Sequence, residues 1–217
     1  MKRNPPPRAH PVPGACPVRP MDALLVIGGA NAWMWGWRSL LCPPTGFPLA
    51  LLFFASAWCA GALPDRTYVL SDAHHPLLPL SEAALLLLAV DFVQLHAHRL
   101  MHTSPLRAHH AVHHRHVRPS ASVAFDTGVV DAVVQLLLPV YACIWIVRPC
   151  RLGVGMYGLA HSAWLQFIHT SPDVPYPRLA RLGMVTPAYH HAHHADPTRH
   201  MAHLVTWFEA PSKRRMA

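Results

Sequence analysis

Residues 77–102 read LLPLSEAALLLLAVDFVQLHAHRLMH. The stretch begins as an apolar run over 77–94 and turns histidine-rich at its end. Four other apolar runs share the chain, at 21–41, 47–63, 129–147 and 153–168. A membrane-crossing helix needs about 20 apolar residues, with a range of roughly 17–25. The runs at 47–63 and 129–147 fit that length best. The run at 77–94 carries Ser81 and Glu82 near its start, and the run at 153–168 is short and contains His161. The run at 21–41 holds Gly28, Gly29, Asn31 and the alternating Trp33, Trp35 and Trp37, a pattern suited to anchoring at a membrane interface. The expected fold is all-α: a membrane bundle of about four spans with a cytoplasmic, histidine-rich helical cap.

Composition agrees. Of 217 residues, 52% are hydrophobic and 13% are charged, against about 25% charged in an ordinary soluble domain. The length allows one domain, or one domain with a tail, and has no room for a separate reductase or cytochrome domain. The formal charge of +8 comes from Lys and Arg placed between apolar runs, not interleaved with aromatics, which argues against a nucleic-acid surface. Residues 1–20 hold seven prolines and four basic residues and read as an extended or disordered tail. They are too long and proline-rich for a usual signal-peptide start. The expected division is this tail, a membrane domain at 21–209 and a basic tail at 210–217.

The positive-inside rule fixes a side. Lys2, Arg3, Arg8 and Arg19, then Arg99, Arg107, Arg115 and Arg118, then Lys213, Arg214 and Arg215 all favour the cytoplasm. Two crossings must separate the first group from the second, so one of the first three runs, 21–41, does not fully cross. The runs at 129–147 and 153–168 form a hairpin that returns the later histidines to the side of the earlier ones. The five cysteines, Cys16, Cys42, Cys59, Cys143 and Cys150, form no C-x-x-C pair and read as small hydrophobes.

Histidine is the outlier. There are 19, and sixteen lie within 96–116 and 161–203. His98 and His102 make H-x-x-x-H. His110, His113 and His114 make H-x-x-H-H, and His190, His193 and His194 repeat it. Residues three and four apart share a helix face, so each box is expected to aim its imidazoles at one point. Roughly eight nitrogens result, more than one zinc or one mononuclear iron needs, so two metals sharing a site are indicated. Imidazole suits Fe, Zn, Cu and Ni alike. The Glu-rich pattern of soluble di-iron bundles and H-E-x-x-H are both absent, and a cysteine-free, redox-capable pair at a membrane surface points to iron and dioxygen. Histidine-rich tracts also serve as metal sinks and transporter loops, although transporter ligands belong near the bilayer midplane and these boxes lie at span ends.

At these residues the chain resembles the fatty acid hydroxylase and sterol desaturase superfamily of membrane di-iron enzymes. Residues 91–102 (DFVQLHAHRLMH) look like its first box, 106–114 (LRAHHAVHH) its second and 185–194 (VTPAYHHAHH) its last. The stretch 166–172 (QFIHTSP) is similar to the family's isolated histidine, here His169, and 122–139 (SVAFDTGVVDAVVQLLLP) loosely resembles the segment after the second box. The match runs from about 91 to 209. His200 stands where the family usually has Asn, and Glu209 where it has Asp.

The resemblance implies that His98, His102, His110, His113, His114, His169, His190, His193 and His194 hold two iron ions. His161 lies two turns before His169 and, with His200, is a further ligand or lining candidate. Asp91, two turns before His98, is a candidate carboxylate behind a ligating ring, and Asp196 and Glu209 follow it. His109, His116, His191 and His203 read as neighbours, and His74 and His75 as solvated. Arg99 and Arg107 set topology or hold a lipid head group. The implied reaction takes dioxygen as co-substrate and hydroxylates or desaturates a membrane lipid (sterol, sphingoid base or fatty acyl chain), with the segment after the second box leaning to a sterol. Electrons must come from outside, from a b-type cytochrome or a ferredoxin with its reductase, and the location is the endoplasmic reticulum membrane or a bacterial inner membrane. The competing readings are a membrane metal-handling or transport protein and a catalytically degenerate relative.

Overall fold

The computed structural model describes residues 46–71 and 75–209. The tails, the run at 21–41 with its tryptophans, Cys16, Cys42 and His74 lie outside them. Among the described residues the chain is helical without strands. The helices are α1 (Gly46–Cys59), α2 (Leu78–Met101), α3 (Arg107–His114), α4 (Val129–Val147), α5 (Arg151–Ile168), α6 (Pro177–Arg181) and α7 (Pro187–Ala195).

Among the described residues two helices are long and apolar enough to cross a membrane, α2 with 24 residues and α4 with 19. The first is a correction in length: the run read as 77–94 continues as helix through the first box to Met101, because His98 and Met101 are buried by neighbouring elements. The second is a correction in rank. The run at 47–63 was one of the two best by length, yet α1 has 14 residues, about 21 Å of helix against a hydrocarbon core of about 30 Å. It stops where Gly61 adopts φ +71°, the left-handed conformation that ends helices, just before Pro64.

The chain direction is set by contacts at the two ends of the bundle. At one end Gly46 donates to the Thr127 carbonyl at 3.3 Å. A Cβ on Gly46 would lie 2.3 Å from the Gly128 oxygen, so only glycine lets α1 begin against the start of α4. At the other end the Arg151 and Leu152 amides donate to the Val69 and Leu70 carbonyls. Glu82, buried there, accepts from the Cys150 amide and pairs with Arg66. Thus α1 and α4 run away from the histidine end while α2 and α5 run towards it. Leu86, Val90 and Ile144 are fully buried between them, and Leu52, Phe53, Leu85, Leu138 and Ile146 face outward.

Helix α4 is not regular. Residues Val133–Leu137 form a π turn, a distortion frequent at functional sites. Pro139 explains it: proline has no N–H for the carbonyl four residues back and crowds it. That carbonyl belongs to Gln135, and it accepts from Gln94 Nε2 of α2 at 2.8 Å instead.

Candidate metal centre

The last turn of α2, the short helices α3 and α7, and the end of α5 converge on one end of the bundle. Two groups of imidazoles result: His98, His102, His110, His114 and His193, and His113, His169, His190 and His194. Within each group the ligand atoms lie within 4.8 Å of one another. These are the nine histidines of the boxes and of the isolated position.

One expectation needs correction. The H-x-x-H-H boxes do not aim at one point. In α3, His110 and His114 join the first group and His113 the second; in α7, His190 and His194 join the second group and His193 the first. A helix turns by about 100° per residue, so positions i and i+4 are nearly eclipsed while i+3 diverges from i+4. Each short helix therefore ties the two groups together.

The nitrogen contacts are close. His98 Nε2 lies 3.0 Å from His110 Nε2, 3.1 Å from His102 Nε2 and 3.1 Å from His193 Nε2. His114 Nε2 is 3.1 Å from both His110 and His193. In the second group His190 Nε2 lies 3.1 Å from His169 and 3.2 Å from His194.

Between rings whose other nitrogen fixes the tautomer, such as His98 with His110 and His193, these contacts are not hydrogen bonds. His98 Nδ1 donates to the Met201 carbonyl at 2.8 Å, His193 Nδ1 to that of Arg199 at 2.7 Å, His169 Nδ1 to that of Leu165 at 2.6 Å and His113 Nδ1 to that of Asp126 at 3.3 Å. A carbonyl only accepts, so Nδ1 carries the proton and Nε2 presents a lone pair. His110 Nδ1 donates likewise to Asp131 Oδ2 at 2.9 Å.

Protonation does not relieve the crowding. Burial pushes His102 and His113 down to about 4, and His169 and His193 down to about 3. Burial, reinforced by adjacent imidazoles, carries His114, His190 and His194 lower still. Converging lone pairs that refuse protons suit a cation. Two nitrogens held at about 2.1 Å from an ion at right angles stand about 3.0 Å apart, against about 3.4 Å in a tetrahedron. The observed spacing and five nitrogens in one group fit a higher-coordinate transition ion better than a structural zinc.

The remaining candidates fall outside both groups. His161 donates from Nε2 to Gln94 Oε1 at 3.2 Å and accepts from the Tyr157 hydroxyl at 3.3 Å, so both its nitrogens are engaged. His200 packs on Tyr189 at 4.4 Å between ring centres and has φ 60°, a left-handed conformation that His tolerates better than most residues. Asp91 reaches no imidazole: it accepts from the Leu204 and Val205 amides at 2.8 and 3.2 Å. Glu209 accepts from the Met201 amide at 2.8 Å and from the Tyr189 hydroxyl. Both carboxylates therefore pin the 199–205 loop, whose carbonyls orient His98 and His193. Asp196 caps an exposed turn at Thr198. His191 reaches the Thr170 carbonyl and His116 reaches Asp126, while His109 and His75 are exposed. His203, read as a neighbour, is packed on His98 at 4.5 Å between ring centres.

The residues missed are Asp131 and its partners. Asp131 is buried in α4 and also accepts from Thr127 Oγ1 at 2.6 Å and from Gln135 Nε2. A carboxylate inside the most apolar run was the available signal.

A family model for fatty acid hydroxylases matches residues 83–210. A curated protein from Phaeodactylum tricornutum described as alternative squalene epoxidase is 29% identical over 171 residues, covering 76% of this chain and 48% of that protein. The chain thus spans about half the length of this relative. No solved structure matches.

Proposed function

Since the chain belongs to the fatty acid hydroxylase family, we propose that it is a membrane-embedded lipid oxidase whose nine imidazoles hold two iron ions and which hydroxylates or desaturates its substrate with dioxygen. The observation that carries this reading is the convergence of imidazole Nε2 atoms in two adjoining groups at 3.0–3.2 Å. Iron bound there supplies the oxidising power needed for an unactivated C–H bond.

The protein's own contribution is placement. Nδ1–H donation to carbonyls and to Asp131 locks His98, His110, His113, His169 and His193 and strengthens their donor nitrogens. The apolar walls of the bundle keep water from the reacting carbon.

The reading includes a topology. Helices α1, α2, α4 and α5 form the membrane bundle, with α1 only partly crossing. Arg99, Arg107, Arg115, Arg118, Arg178, Arg181 and Arg199 lie at the histidine end, against Arg66, Arg148 and Arg151 at the other, a bias that supports a cytoplasmic side for the imidazoles. Electrons come from an external carrier such as a b-type cytochrome or ferredoxin. A 530 Å³ groove lined by Arg99, Arg107 and Arg199, with His102 among its walls, offers an acidic carrier both charge and a short path. The bilayer is that of the endoplasmic reticulum or a bacterial inner membrane.

The test is lipid profiling of cells that express the chain or His113→Ala, with iron counted in each purified protein. An oxidised lipid made only by the unaltered chain, which carries two irons, is the expected result. Identical profiles with iron present overturn the enzyme reading.

A further inference from the structure

An apolar slot of 130 Å³ lies between α1, α4 and α5, walled by Phe47, Phe54, Leu137, Val140 and Gly158. Leu159 also lines it and is 52% exposed, so the slot opens on the outer surface of the bundle, where lipid lies under the proposed topology. A second cavity of 50 Å³ adjoins the imidazoles and is lined by His110, His113 and His169 together with Gln94. Leu136 borders both spaces. His161 lines the slot, Gln94 lines the cavity, and their hydrogen bond joins the two walls. A thin partition, one leucine and one hydrogen-bonded pair, thus separates a lipid-facing slot from the metal centre.

The partition is built rather than incidental. Leu136 sits in the π turn that Pro139 imposes, which departs from the regular helical positions of α4. The polar members are already satisfied in one chain. Tyr157 donates to His161, His161 to Gln94, and Gln94 to the Gln135 carbonyl that Pro139 leaves free. Buried polar groups that spend their hydrogen bonds on one another leave little for a polar ligand.

Resting on the lipid-oxidase reading, we propose that this slot receives the end of a slender, flexible hydrocarbon chain, and that Leu136 with the Gln94–His161 pair sets how far that end advances towards the imidazoles. The size argues for a chain. A cavity of about 150 Å³ accepts one benzene, whereas pockets for drug-sized ligands measure roughly 300–1,000 Å³. A few methylenes fit; a fused-ring body does not. A chain, and not the sterol suggested by 122–139, is the ligand proposed for this slot.

Gly158 offers a clean test, because a Cβ there meets nothing within 4 Å. The full chain, iron-loaded in lipid nanodiscs, is irradiated with a saturated fatty acid carrying an aliphatic diazirine at its methyl end. The label is expected on the segments around Leu136 and Gly158. Gly158→Leu displaces about two methylenes, so labelling falls about tenfold, and Gly158→Ala lowers it less, with both variants keeping wild-type iron. Should the leucine variant lose iron, the alanine variant decides, since alanine suits a helix better than glycine. Label spread over outward faces and unchanged by either variant overturns the proposal, as does equal slot labelling by a fused-ring sterol carrying the same diazirine. Label at the slot without any oxidised lipid in cells would instead remove the enzyme reading and leave the slot standing.

Discussion

His98, His102, His110, His114 and His193 are backed differently from His113, His169, His190 and His194. In the first group three rings have fixed Nδ1 partners, and one of these, Asp131, is a buried carboxylate. In the second group His113 and His169 rest on neutral carbonyls, while Nδ1 of His190 and His194 is buried without a protein partner, as is that of His114 in the first group. Partners behind a ligating ring fix its tautomer and raise its basicity. The same H-x-x-H-H motif therefore contributes to two sites of unequal grip. The firmer one meets the arginine groove through His102; the other meets the 50 Å³ cavity through His113 and His169.

The largest expected effect breaks this asymmetry. Asp131→Asn removes the charge behind His110 and should weaken iron in the first group by about 10–100-fold. Titration with a chelator, following metal per chain, checks it. An unchanged first-group affinity would mean that the carboxylate supports α4 and not the metal centre.

A smaller effect sharpens it. In the unaltered protein a chelator should remove the second-group ion first, with affinities about tenfold apart, given four nitrogens against five and no carboxylate behind any of its rings. Replacing iron with a spectroscopically distinct ion resolves the two steps. Simultaneous loss would show that His113 and His193, which cross between the groups, couple them fully.

The smallest effect concerns pH. The ordinary histidine value is 6.5, and the folded values at His102, His113, His169 and His193 are about 4, 4, 3 and 3. Between those limits the unfolded chain binds more protons than the folded one, so acidification favours unfolding. Metal-free protein should lose thermal stability progressively as pH falls below 6.5. Iron-loaded protein should hold out to lower pH, because bound metal competes with the protons. A metal-free protein as stable at pH 5 as at pH 7 would contradict the burial of these rings.

The sequence shows why some of this was legible in advance. The ligand boxes are local: i, i+3 and i+4 spacing puts His110, His113 and His114 on adjoining helix faces wherever the helix lies. Composition likewise exposed the apolar helices, since burial or lipid contact demands runs such as 129–147. The lengths of α1 and α2 were harder to read. A helix ends where tertiary contacts stop repaying its order, and the first box is held helical by rings from α3 and α7.

Local spacing determined eight of the nine imidazoles, and the ninth, the isolated His169, came from the family resemblance. Tertiary structure decided how they divide into two groups, because that depends on how α3 and α7 face each other across the end of α2. It also decided what stands behind them. The carbonyls of Arg199 and Met201, positioned by Asp91 and Glu209 across the fold, have no sequence signature, since every residue carries a carbonyl and only the folded path aims it. Asp91 and Asp131 look alike in sequence, each an acid inside an apolar helix, and packing alone gave one to a backbone loop and the other to a ligating ring.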